Sequence, residues 1–166
     1  LGVGILSTAQ KQGKLKNEHA TIASDSMCKL NDVGLQLAHI EGVKSMTDVT
    51  GFGLMGHLSE MCEGSKLSAI VEFDKVPKIP EAELYIKANC LPGGLHKNWQ
   101  TYRQNVDLAN EAYKPFLFDP QTSGGLLIAV EEHDAKKVEQ LLQDNNLESE
   151  CFGYLTKRSE KLISVR

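Results

Sequence analysis

Short apolar runs bounded by glycine, proline or polar clusters alternate along this chain with segments whose apolar residues recur at helical spacing. That alternation restricts it to a fold mixing strands with helices. Residues 2 to 8, GVGILST, read as a buried strand. From about Glu18 to Ile40 the apolar positions Ile22, Leu30, Val33, Leu37 and Ile40 predict one long amphipathic helix. VKSMTDV is a short strand, and after the Gly51-Phe52-Gly53 turn GLMGHLSEMCEG is a helix closed by Gly64. LSAIVEFDKV is a second buried strand, and Pro80 opens a helix running to about Lys87. Asn89 to Trp99 reads as a loop around its Pro-Gly-Gly core, and residues 100 to 114 as weakly helical. GLLIAVEE is a strand, and HDAKKVEQLLQDNN is a surface helix with Ala135, Val138, Leu141 and Leu142 on one face. Two closing strands, CFGYLTK and KLISVR, are joined by a polar turn around Arg158 to Glu160. The order predicts an α/β or α+β sandwich with helices packed on a mixed sheet.

The 166 residues suffice for one domain, and 41% of them are hydrophobic, enough for a core without staples. Lys and Arg number 18 against 22 Asp and Glu, for a formal charge of -4, and the basic residues are scattered, which disfavours nucleic acid as a partner. No run approaches the length of a membrane span, and the start lacks the layout of a secretory signal, so a cytoplasmic location is expected. The first residue is Leu1 and an apolar run follows at once, suggesting a segment of a longer polypeptide. Cys28, Cys62, Cys90 and Cys151 form no CxxC pair and no zinc-finger spacing, so they are expected to be free thiols that favour the interior.

Two segments depart from the strand-and-helix rhythm. In MTDVTGFGLMGHL, residues 46 to 58, Asp48 ends a strand and a glycine turn leads into a helix, a corner suited to phosphate. A carboxylate beside such an anion requires a cation between them, and Mg2+ is the usual choice. Spacing alone leaves Asp48 equally open to capping or bracing the turn. His57 reads as a packed or solvated residue, because no second ligand stands at i+4. In FDPQTSGGLLIAV, residues 118 to 130, Asp119, Gln121, Thr122 and Ser123 precede a glycine pair and a strand, which is either a phosphate cradle or a plain turn. There is no Walker A sequence and no GxSxG.

TDVTGFGLMGHLSEM and DPQTSGGLL together closely resemble the C-terminal domain of selenophosphate synthetases (selenide, water dikinases). MCKLNDVG, IEGVKSMTDV, KVPKIPEAELYI and PGGLHKNW extend the resemblance in the same order, from Leu1 to about Val130, and the last 36 residues match in pattern only. Aminoimidazole ribonucleotide synthetase, a hydrogenase maturation enzyme and thiamine-monophosphate kinase share the two-domain plan with different wording. The resemblance implies an α+β fold of three layers, α/β/α, with a mixed sheet and partly ferredoxin-like, docked on an N-terminal domain that binds most of the ATP. It implies an enzyme that converts selenide, ATP and water into selenophosphate, AMP and phosphate with Mg2+, and a homodimer at full length. Asp48 then corresponds to the one metal ligand from this half. Thr47, Thr50, Gly51, Gly53, Asp119, Gln121, Thr122 and Ser123 line the interdomain cleft. The family's reactive Cys or selenocysteine and its lysine lie upstream of this segment, so the chain alone is expected to fold and to be inactive. A catalytically idle paralogue of the same superfamily, and a structural partner domain, are the alternatives.

Overall fold

The computed structural model describes residues 1–147 and 150–166. In chain order the elements are α1 Val3–Lys11, α2 Ile22–Met27, α3 Gly34–Leu37, β1 Val43–Asp48, α4 Gly53–Ser65, β2 Leu67–Val71, α5 Ala82–Lys87, α6 Gly93–Tyr102, β3 Val106–Leu108, α7 Lys114–Leu117, β4 Leu126–Val130, α8 Glu132–Asp144, β5 Gly153–Lys157 and β6 Ile163–Val165. Short 3-10 turns link several of them.

The strands divide into two sheets. β1 and β4 form an antiparallel pair, and the other four stand in the order β3-β6-β2-β5. In the larger sheet β2 runs antiparallel to β5 and parallel to β6, and β6 runs parallel to β3. The fold is therefore α+β with a mixed sheet, as expected, but the expected single sheet is two. β5 and β6 follow one another in the chain, yet β2 lies between them, so the polar turn at Arg158 to Glu160 does not make a hairpin.

Three apolar clusters hold these layers. Leu54, Met55, Leu58 and Cys62 of α4 pack with Ala69, Val71, Ile163 and Val165 of the four-stranded sheet. Ile5, Leu6 and Ala9 of α1 pack with Ala82 and Tyr85 of α5. Val33, Leu37 and Ile40 meet Val138 of α8 across the β1/β4 pair. Ile5, Leu6 and Leu37 are wholly enclosed, and each such side chain contributes roughly 1.5–3 kcal/mol by leaving water.

Five expected features are corrected. GVGILST lies in the helix α1 rather than a strand, since a short apolar run has no period of its own and contacts far along the chain select the helix. The long helix from Glu18 to Ile40 is broken into a 3-10 turn and two short helices. Between them the Asn31 amide donates to the Gly124 carbonyl at 2.9 Å, and Leu30, assigned inward by periodicity, is 75% exposed. The loop from Asn89 to Trp99 becomes α6 from Gly93 onward, and the weak helix after it gives way to β3. α4 runs past Gly64, and the left-handed position that ends it is Lys66, at φ 59°. Of the four free cysteines, Cys62 and Cys90 are interior, whereas Cys28 and Cys151 are exposed.

Candidate functional site

The β1/β4 pairing joins the two unusual segments. Asp48 stands opposite Leu126, so the strand leading out of β1 and the loop leading into β4 meet at the same end of the two-stranded sheet. The Val49 amide donates to the Gly125 carbonyl at 2.9 Å, and the Gln121 amide donates to the Thr50 carbonyl at 3.0 Å. A Cβ on Gly124 would stand 1.8 Å from the Val49 oxygen, so only glycine permits this approach.

Beyond Asp48 the chain makes a turn closed by Gly53 N–H donating to the Thr50 carbonyl at 3.0 Å. The two central amides of such a turn face outward, and those of Gly51 and Phe52 have no acceptor among the described residues. Gly53 starts α4 in the left-handed region, at φ 69°, against the backbone of Phe118. Gly51 has ordinary backbone angles and open space around its Cβ position, and Gly125 is equally open. Packing therefore accounts for Gly53 and Gly124 but not for Gly51 and Gly125.

The Asp48 carboxylate is exposed and makes no hydrogen bond or ion pair among the described residues, so it does not brace the turn. Its neighbour Thr47 turns toward a groove of about 420 Å³ shared with Lys44, His57 and Glu60. His57 is 7% exposed, and its Nε2 accepts from the Thr50 amide at 3.0 Å, with the Thr50 hydroxyl 3.1 Å away.

The second loop is split. Thr122 and Ser123 are exposed, and Ser123 adopts φ 48°. Asp119 and Gln121 turn inward to the start of α1: Asp119 Oδ2 accepts from the Gly4 amide at 3.0 Å, and Gln121 Oε1 accepts from the Val3 amide at 3.3 Å. Gln121 Nε2 also donates to Asp119 Oδ2 at 2.8 Å. These side chains satisfy first-turn donors that the N-cap, Gly2, has no side chain to reach. Asp119 is wholly buried and its Oδ1 has no partner among the described residues. Burial pushes its acid up to about 7, against the pull of the Gln121 and Gly4 hydrogen bonds.

Among the described residues no three His, Cys, Asp or Glu side chains converge as a metal cage. Burial also raises the Cys62 thiol, the reverse of an activated nucleophile. No helix is long and apolar enough to cross a membrane among the described residues. Sequence reasoning missed Asn98, which donates to Gly51 O at 2.9 Å and Phe118 O at 3.0 Å, because it lay in a segment assigned as loop.

The family model for the AIR synthase related protein, C-terminal domain, matches residues 1–165, and the chain belongs to that family. Within it, the chain matches the C-terminal domain of selenophosphate synthetase. It is 51% identical over 155 residues to a selenide, water dikinase of Photobacterium profundum, covering 92% of this chain and 45% of the relative. It is 46% identical over 165 residues to the enzyme of that name from Haemophilus influenzae, covering 99% and 48% respectively. The chain thus spans about half the length of the curated relatives it matches. Two solved structures share the fold at low identity. The hydrogenase maturation protein HypE aligns with TM-score 0.65 and 18% identity over 94% of this chain and 41% of its own. A Thermus thermophilus protein aligns with TM-score 0.65 and 14% identity over 99% and 45%.

Proposed function

We propose that this chain is the C-terminal domain of a selenide, water dikinase, which makes selenophosphate, AMP and phosphate from selenide, ATP and water. It works against an N-terminal domain that holds most of the nucleotide and supplies the nucleophile. The observation that carries this reading is the opposition of Asp48 and Leu126, which sets the TGFG turn and the TSGG loop at one end of the β1/β4 pair. At that end an unpartnered carboxylate lies beside outward amides and two glycines that packing does not require.

Asp48 fits a shared Mg2+ as a single, exposed, unpaired carboxylate, and Mg2+ binds through one or two carboxylates plus phosphate oxygens. The ion would screen polyphosphate charge and orient the phosphoryl groups. The chain's own part is to present Asp48 at a rigid strand end and to offer the amides of Gly51 and Phe52 to an anion. Thr122 and Ser123 add hydroxyls from the neighbouring loop. Thr47, Thr50 and Gly53 complete the cleft, and the buried Asp119 and Gln121 fix the loop from behind. Delivery of a ligand from this domain couples domain closure to reaction.

The test is Asp48→Asn in the intact protein, with melting temperature, AMP formation across a Mg2+ titration and nucleotide binding measured together. Turnover should fall on the order of a hundredfold or more. Stability should change by about 1 kcal/mol or less, because Asn preserves shape. Near-normal turnover at ordinary Mg2+ would overturn the metal role.

A further inference from the structure

We infer that His57 is a positioning residue: a neutral imidazole with its proton on Nδ1, whose Nε2 lone pair pins Thr50 and so holds the TGFG turn. It deepens the reading above and rests on it for its kinetic arm alone.

A backbone amide always donates, so the 3.0 Å contact from Thr50 N–H makes Nε2 an acceptor. In a neutral ring the proton then belongs to Nδ1, on the side of Glu60, whose Oε2 is 3.7 Å away. The Thr50 carbonyl accepts from both Gly53 and Gln121. Thr50 is therefore a junction: its amide is tied to α4 through His57, its carbonyl to the start of α4 and to the second loop. With the Thr50 amide held by His57, the next two amides, of Gly51 and Phe52, are the ones left for a ligand. A ring enclosed only for packing would require neither this tautomer nor this bond.

Three variants separate the two roles. A Gln at position 57 can place an amide oxygen near the Nε2 position, an Asn reaches only the Nδ1 position, and a Leu fills the volume without an acceptor. In the intact protein with 15N-labelled histidines, the resonances lost in His57→Gln identify this ring. Its Nε2 should show an acceptor-type shift and its Nδ1 a protonated one. Amide exchange at Thr50 should be about tenfold faster in His57→Asn and His57→Leu and near wild type in His57→Gln, by the net worth of one hydrogen bond. Dikinase kcat should follow the same order, lower in Asn and Leu and restored by Gln, with KM for ATP little changed. A protonated Nε2, or equal Thr50 exchange in Gln and Asn, would overturn the inference; His57→Asn keeps the test open if Leu does not fold. If wild-type protein shows no selenide-dependent AMP formation, the functional reading fails while the tautomer and exchange results still decide this one.

Discussion

The two loops that meet at the end of the β1/β4 pair draw on the same residues, an aspartate, hydroxyls and glycines, and use them in opposite directions. In the first, Asp48 is exposed and unpartnered, and the outward amides follow it. In the second, Asp119 is sealed against the first turn of α1 and Gly124 is forced by the Val49 carbonyl. One carboxylate is available to a ligand, and the other substitutes for a helix cap from 115 residues away. The contrast teaches that a motif's composition does not reveal its job; burial and partners do.

The largest expected effect on stability is at the buried loop. Gly124→Ala would drive a methyl into the Val49 carbonyl and should cost about 3 kcal/mol, seen as a drop in melting temperature. A tolerated alanine there would show that the two loops are not locked together.

A smaller effect comes from Asp119, whose acid is pushed above its ordinary 3.8 to about 7 by burial. The folded state therefore keeps a proton that the unfolded chain releases. Asp119's contribution is fully present below about pH 4, is lost as pH rises through about 7, and is constant above that. The slope should amount to no more than a few kcal/mol, on the order of one per pH step, with the field of the α1 N-terminus working to reduce it. Denaturant midpoints across this range should flatten in Asp119→Asn. An unchanged pH profile in that variant would place the titration elsewhere.

The smallest stability change belongs to the exposed loop. Gly51→Ala meets open space at ordinary backbone angles, so melting should shift by less than about 0.5 kcal/mol. On the proposed function, turnover of the intact protein should nevertheless fall about tenfold or more, because a methyl there would displace the phosphoryl groups by ångströms. Unchanged turnover would remove the argument that this glycine makes room for a ligand.

The strands β1, β2 and β4 and the helices α4 and α8 were legible because their patterns are local: alternating or helical apolar positions between clear stop signals. α1 was not, because GVGILST offers too few residues to reveal a period and its helix is capped by Asp119 and Gln121 from the far side of the chain. The break between α2 and α3 was hidden for a related reason, since Asn31 leaves the helical pattern for a bond to Gly124. Both loops of the candidate site were found from their wording. Their division into an outward and an inward half was not, because no sequence rule distinguishes a carboxylate that faces a ligand from one that faces a helix end. His57 was read as a packed or solvated side chain, and it is packed, but its bond to Thr50 is a tertiary fact.

The interleaving of β2 between β5 and β6 also bears on how the chain is made. Leu67 to Val71 receives its antiparallel neighbour only at residues 153 to 157 and its parallel one at 163 to 165. A ribosome must therefore release almost the whole of this sequence before β2 has either flank covered. The β1/β4 pair closes earlier, once Val130 has emerged. During synthesis the candidate site's scaffold can form while the larger sheet still waits with bare edges, and such late, distant pairing is slow and prone to association with other chains. Deleting the last strand would remove an interior member of that sheet, not a fringe.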